Sequence, residues 1–152
     1  MIFGIGTDIV RLNRFVGMSR FSRKRLRTFF SESELTAAQD PKSLESFLPH
    51  KLATRFAAKE ALFKALSATL VTLGHTQQKF SLRFLAQISS VHVSTWGVPE
   101  FHVDWAALEQ KIRVKLPSLQ IHLSLSHERQ HALAFVVCQH APVGASMSYS
   151  KE

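Results

Sequence analysis

Cysteine is nearly missing. Cys138 is the one thiol in 152 residues, so no internal disulfide can form, and the chain fits a reducing compartment. Acid is also scarce, with 11 Asp and Glu against 19 Lys and Arg, a formal charge of +8. A chain this basic is expected to meet something acidic: nucleic acid, phosphates, a membrane surface or an acidic protein. No apolar run approaches the roughly 18 residues of a membrane span. The opening MIFGIG enters a strand-like run directly, so no secretory signal is expected, and no detachable mitochondrial presequence is evident in these residues, which leaves open one that precedes them. Ser124 and Ser126 lack the glycines of a hydrolase elbow, and no Walker-type glycine loop occurs. What remains is an average globular composition, 45% hydrophobic and 20% charged, in a length suited to one domain with one core.

Residues 2–10 read as a buried strand in which Gly4 and Gly6 permit close backbone approach. Asp8 near its end is costly there unless it is paired or holds a metal. Residues 11–30 carry seven basic residues among Phe15, Met18, Phe21, Leu26, Phe29 and Phe30, and are expected to form one or two short amphipathic helices. Such a charge cluster is either a solvated face or a docking surface for an acidic helix or phosphates. Ser31 and Glu34 have capping-box spacing. Residues 41–49 read as a loop.

The segment KLATRFAAKEALFKAL, residues 51–66, is the best helix candidate, rich in strong helix formers without Gly or Pro. Apolar residues nearly surround it, so it should be packed on most sides. It nevertheless carries Arg55, Lys59, Glu60 and Lys64, and the i,i+4 spacing also fits two ordinary surface pairs. Residues 67–79 read as a Ser/Thr-rich connection, 80–103 as two or three strands, and 104–116 as a helix opening at Asp104. Residues 121–139 read as a hairpin that turns at Glu128-Arg129-Gln130. Beyond it, residues 140–152 should be a flexible tail after a domain of residues 1–139.

Two carboxylates, Asp8 and Glu60, suit a hard divalent ion such as magnesium, which takes few protein oxygens. Arg55, Lys59 and Lys64 suit phosphates, and His127 could hold a phosphate or move a proton. Together these are the requirements of phosphoryl chemistry. His127 and His131 flank a turn without a third ligand, so zinc is not expected. Cys138 reads as inert core.

The order of motifs is informative: Gly4-Ile5-Gly6-Thr7-Asp8-Ile9-Val10, Phe30-x-x-x-Glu34-Leu35, Arg55-Phe56-Ala57-Ala58-Lys59-Glu60-Ala61-x-x-Lys64-Ala65, Gly97-x-Pro99 and Leu123-Ser124-Leu125-Ser126-His127. It resembles the holo-acyl-carrier-protein synthase family, the small single-domain phosphopantetheinyl transferases. The resemblance spans about residues 2–138. It implies an α+β fold, an antiparallel sheet packed against a long central helix. It implies transfer of 4′-phosphopantetheine from coenzyme A, the co-substrate, to a serine of apo acyl carrier protein, releasing adenosine 3′,5′-bisphosphate and serving fatty acid biosynthesis.

On this resemblance Asp8 and Glu60 match the magnesium ligands, Lys64 the lysine at the pyrophosphate, and Glu60 is the nearest candidate base. Arg55 and His127 match positions at the nucleotide's 3′-phosphate end, Lys59 joins the cofactor-binding set, and Pro99 matches a position near the adenine. Arg14, with Met18, Phe21 and Arg25, matches the carrier-docking surface. Neither nucleic acid nor membrane is an expected partner. Many small members are trimers with sites at subunit boundaries, so a homotrimer is an expectation too. Ser67-Ala68-Thr69 departs from a Gly-Thr-Gly-like loop. Ser46 and Phe47 fall where paired basic residues often precede the helix, with Lys42, His50 and Lys51 as candidates to replace them. The divergent loops and extra tail point to a eukaryotic, fungal-type enzyme in mitochondria, the cytoplasm being the alternative. The competing reading is a catalytically lapsed basic module that binds an acidic protein or RNA.

Overall fold

The computed structural model describes residues 1–142. Strands β1 (Ile2–Arg11), β6 (Leu119–His127) and β7 (His131–His140) form an antiparallel sheet in the order β1–β7–β6. The first strand therefore pairs with the last, Gly6 opposite Val136 and Asp8 opposite Ala134. Strand periodicity puts Gly4, Gly6, Asp8 and Val10 on one face. That face lies against α4 (Pro49–Thr72), the long central helix. Between β1 and α4 run α1 (Asn13–Met18), α2 (Arg23–Leu26), α3 (Glu32–Ala38) and a two-stranded ribbon of β2 (Gln39–Asp40) and β3 (Ser43–Phe47). After α4 come α5 (Leu82–Ile88), the hairpin of β4 (Ser89–Val93) and β5 (Pro99–Val103), and α6 (Trp105–Ile112). Among the described residues no helix is long and apolar enough to cross a membrane.

The glycines of β1 set how close strand and helix come. A Cβ on Gly4 would lie 2.1 Å from the Ala65 carbonyl oxygen, and one on Gly6 would lie 2.0 Å from that of Ala61. Side chains larger than alanine at positions 61 and 65 would separate the pair further. Gly6→Ala must push strand from helix, so it is expected to lose about 1–3 kcal/mol or more by overpacking. Gly17→Ala, with nothing within 4 Å of the added carbon, should be neutral or slightly stabilising. Urea unfolding of the two variants checks the contrast.

Several boundaries differ from the sequence reading. The stretch 80–88 is not a strand: Ser81 Oγ accepts from the Phe84 amide at 3.1 Å and opens α5, burying Leu85 and Ala86. The Phe80, Leu82, Phe84 alternation was too short to outweigh that cap. The central helix starts at Pro49 in its first turn and runs through Ser67-Ala68-Thr69. Its hydroxyls are satisfied within it, Ser67 donating to the Phe63 carbonyl and Thr69 to that of Ala65. Residues 41–49 contain β3 rather than loop alone. The helix α6 stops at Ile112, short of Leu116, because Arg113 turns left-handed at φ 57°. β7 continues to His140, and the Ala141 amide donates to the Ser118 carbonyl. The expected tail from 143 onward lies outside the described residues.

Candidate active site

Asp8 and Glu60 meet where β1 crosses α4. The Asp8 side chain is 10% exposed; Lys64 Nζ donates to its Oδ1 at 2.8 Å and to the Thr7 carbonyl at 2.9 Å. Lys64 thus reaches across to the strand rather than serving only its i−4 neighbour Glu60. The other Asp8 oxygen, Oδ2, is buried and accepts from no N–H or hydroxyl group among the described residues, which leaves the Asp8 carboxyl a proton shared with Glu60, or a cation, to satisfy it. Glu60 is pushed from 4.5 up to about 7, first by burial, then by the neighbouring Asp8 carboxyl, through hydrogen bonding and charge. Lys64 and Arg14 pull the other way, so Arg14 lies close enough for its charge to act on this pair. Two crowded carboxylates, one oxygen without an N–H or hydroxyl donor and one group holding its proton toward neutrality, form a site short of positive charge. Its few hard oxygens suit a magnesium-like ion with water and phosphate completing the shell. Among the described residues no three His, Cys, Asp or Glu side chains form a larger metal cluster.

A second group stands at the beginning of α4. Arg55 is 8% exposed; its Nη1 donates to the Lys51 carbonyl at 3.2 Å, and its Nε is buried without a partner among the described residues. His127, closing β6, stacks on His50 with ring centroids 5.6 Å apart and an interplanar angle of 19°. Burial, then the charges of His127, Lys51 and Arg55, hold His50 below the ordinary imidazole range. Strand register puts Asp8 and His127 on the same sheet face, on β1 and β6 with β7 between them. They are two strands and two residues apart, about 12 Å from a strand spacing of ~4.8 Å and a rise of ~3.3 Å. Pro99 opens β5 opposite Val93, on the hairpin whose turn exposes Trp96.

Lys59 requires a correction. It was expected to bind cofactor, but its side chain is 1% exposed. Its Nζ donates to Glu34 Oε2 at 2.7 Å, to the Phe29 carbonyl at 2.8 Å and to the Ala86 carbonyl at 3.0 Å. All three ammonium hydrogens have protein acceptors, so none remains for a phosphate. Glu34 also accepts from the Ser31 amide, completing the capping box, and from the Val91 amide. One buried ion pair therefore ties together α3, α4, α5 and β4.

Comparison with known proteins places the chain in a family. Residues 4–136 match the model of the 4′-phosphopantetheinyl transferase superfamily. The chain belongs to that superfamily. A holo-[acyl-carrier-protein] synthase of Treponema pallidum is 36% identical over 147 residues, covering 94% of this chain and 100% of its own length. That of Borrelia turicatae is 33% identical over 141 residues, covering 91% and 99%. Among solved structures, the holo-(acyl-carrier-protein) synthase of Bacillus anthracis in complex with CoA superposes with a TM-score of 0.66 at 28% identity, covering 93% and 99%. The expected fold, a sheet packed on a long helix in the manner of this transferase superfamily, is the one observed.

In this transferase chain α1 and the turn that follows α2 are held on α4 through Phe56, whose ring lies 5.6 Å from both Phe15 and Phe29. Met18, Phe21 and Arg25 line a hollow of about 300 Å³ floored by Leu26, Phe29 and Phe30. The Arg25 guanidinium covers the Phe21 ring at 3.6 Å. Arg23 and Arg27 both pair with Glu32, which turns two basic residues of this stretch to internal use. The one partner of His127 that sequence reasoning did not foresee as such is His50. The sequence offered His50 only as one of three replacements for the paired basic residues before the helix, with nothing to join it to His127.

Proposed function

We propose that the chain transfers 4′-phosphopantetheine from coenzyme A to a serine of an apo acyl carrier protein, with Mg²⁺, releasing adenosine 3′,5′-bisphosphate. The observation that carries this reading is the buried Asp8 Oδ2, without an N–H or hydroxyl donor among the described residues, beside Glu60 and Lys64. Asp8 and Glu60 would hold the ion, which supplies charge neutralisation at the pyrophosphate. Glu60, its affinity for protons raised, takes the proton of the carrier serine as the oxygen attacks the β-phosphate. The exposed Lys64 ammonium offsets charge on the departing phosphate. Arg55 and His127 take the terminal phosphate of the nucleotide, and Pro99 borders the adenine.

The hollow lined by Met18, Phe21 and Arg25, with Arg14 at the edge of the acidic pair, receives the carrier. Acidic carriers are steered to a basic face, which raises encounter rates and fixes orientation. We also propose a homotrimer. Ile5, Ile9, Leu133 and Phe135 are exposed on the sheet face away from α4, an apolar patch bordered on that face by Ser124, Ser126 and Arg11. Further copies of the chain would cover it; a monomer in sedimentation equilibrium would contradict this. Mitochondrial location, with the cytoplasm as alternative, is read from the loops and tail, and fractionation of cells making the tagged full chain tests it.

The deciding assay combines the protein, apo carrier, coenzyme A and Mg²⁺, and reads the carrier's mass. A phosphopantetheine adduct is expected, and chelation of the metal should abolish it. No adduct with several carriers, alongside tight RNA binding, would favour the lapsed basic module.

A further inference from the structure

We infer that His50 and His127 work as a pair that takes up a proton when a phosphate monoester binds at the start of α4. The inference rests on the transferase reading for the source of that phosphate, the terminal phosphate of coenzyme A, and for the places of Arg55 and His127 beside it. What is drawn from this chain is the part of His50, stacked on His127 at the start of α4. α4 is a 24-residue helix whose N-cap, Leu48, offers no side-chain acceptor. Pro49 has no N–H and the Lys51 amide already donates to the Leu48 carbonyl at 3.1 Å, so what this helix end offers an anion is chiefly its dipole. Over this first turn lies Arg55, deeply buried, anchored to the Lys51 carbonyl by Nη1 and with Nε unpartnered among the described residues. A buried guanidinium nitrogen without an acceptor is a costly group that an anion would satisfy.

The stacked imidazoles add the titrating element. Charged groups act on His50 from two elements: His127 on β6, and Lys51 and Arg55 on α4 itself. All are basic, and burial works in the same direction. The free protein therefore keeps His50 neutral near neutral pH. Glu34, the acid that acts on Arg55, is already engaged by Lys59 and the amides of Ser31 and Val91. A phosphate monoester is close to a dianion above about pH 6, its second pKa. It brings the negative charge that the cluster lacks, so the imidazolium form of His50 becomes favourable and a proton enters with the ligand. Affinity for the dianion must then fall as pH rises through the titration of His50 in the complex, by up to about tenfold per unit. A ligand without the monoester gains no such dependence.

Isothermal titration of the full chain with coenzyme A and with dephospho-coenzyme A, in buffers of different ionisation heat, reads the uptake directly. Close to one proton, by the linkage above, is expected with coenzyme A near neutral pH and none with the dephospho form. The uptake should vanish in His50→Gln, whose circular dichroism and melting confirm that it is folded. Equal uptake for both ligands, or unchanged uptake in the variant, overturns the inference. Proton resonances of the histidines, followed against pH with inorganic phosphate alone, separate the two readings. If phosphate raises the His50 titration but coenzyme A does not bind, the imidazole pair stands and its coenzyme A source falls. If neither ligand moves the His50 titration, the pair itself is refuted.

Discussion

Lys59→Met is expected to cost about 3–5 kcal/mol of folding stability, the penalty for stranding a buried charge. Glu34 is as inaccessible as its partner, and its oxygens serve the Ser31 and Val91 amides as well as the ammonium. Without the lysine the carboxylate stays in a site closed to water, and the Phe29 and Ala86 carbonyls lose their donor. Adding Glu34→Leu removes the stranded charge but orphans the Val91 amide, so it should recover only part of the loss. Urea unfolding of both variants checks the order. A single variant as stable as the parent would show that the pair contributes nothing net.

Glu60→Gln should lower the transfer rate about 10²–10⁴-fold, the usual contribution of a positioned base. At limiting Mg²⁺ the parent's rate should rise with pH as Glu60 gives up its proton and admits the ion, and this dependence should be missing in the variant. Stability should move the opposite way. The folded value of Glu60 is raised above its ordinary 4.5, so the folded metal-free protein retains a proton that the unfolded chain releases. Its contribution is unchanged below 4.5, is lost as pH rises to about 7, and is constant beyond. Metal-free Glu60→Gln should consequently gain on the parent across that window. Mg²⁺ should stabilise the parent more above the window than below it. Near-normal turnover of Glu60→Gln at saturating magnesium would remove Glu60 as the base.

Asp8 was legible because an acid within an apolar strand has few innocent explanations, and the two glycines before it announced a close neighbour. Lys59 was not. It adjoins Glu60 in the chain, yet about 100° of helix rotation separates them. Leu52, Arg55, Lys59, Leu62 and Leu66 follow i+3 and i+4 steps, and that row is the buried spine of α4. Reading the row rather than the charges would have put Lys59 inside. Its counter-ion lay 25 residues away in a capping box whose local role already accounted for Glu34. Ser81 was a similar local cue, a helix cap outweighed by a brief alternation of aromatic and aliphatic residues. The stacking of His50 on His127 joins a helix start to a strand end 77 residues later, which no local periodicity encodes.

The pairing of β1 with β7 has a consequence for biosynthesis. Met1 and His140 are joined by a backbone hydrogen bond of 2.9 Å, and the whole opening strand is zipped to the closing one. During translation the N-terminal segment leaves the ribosome first but has no permanent mate until the last strand emerges. The nascent polypeptide must carry an unpaired, apolar edge until residues 131–140 have been made, the kind of surface that chaperones shield. Long-range closure of this sort also slows refolding.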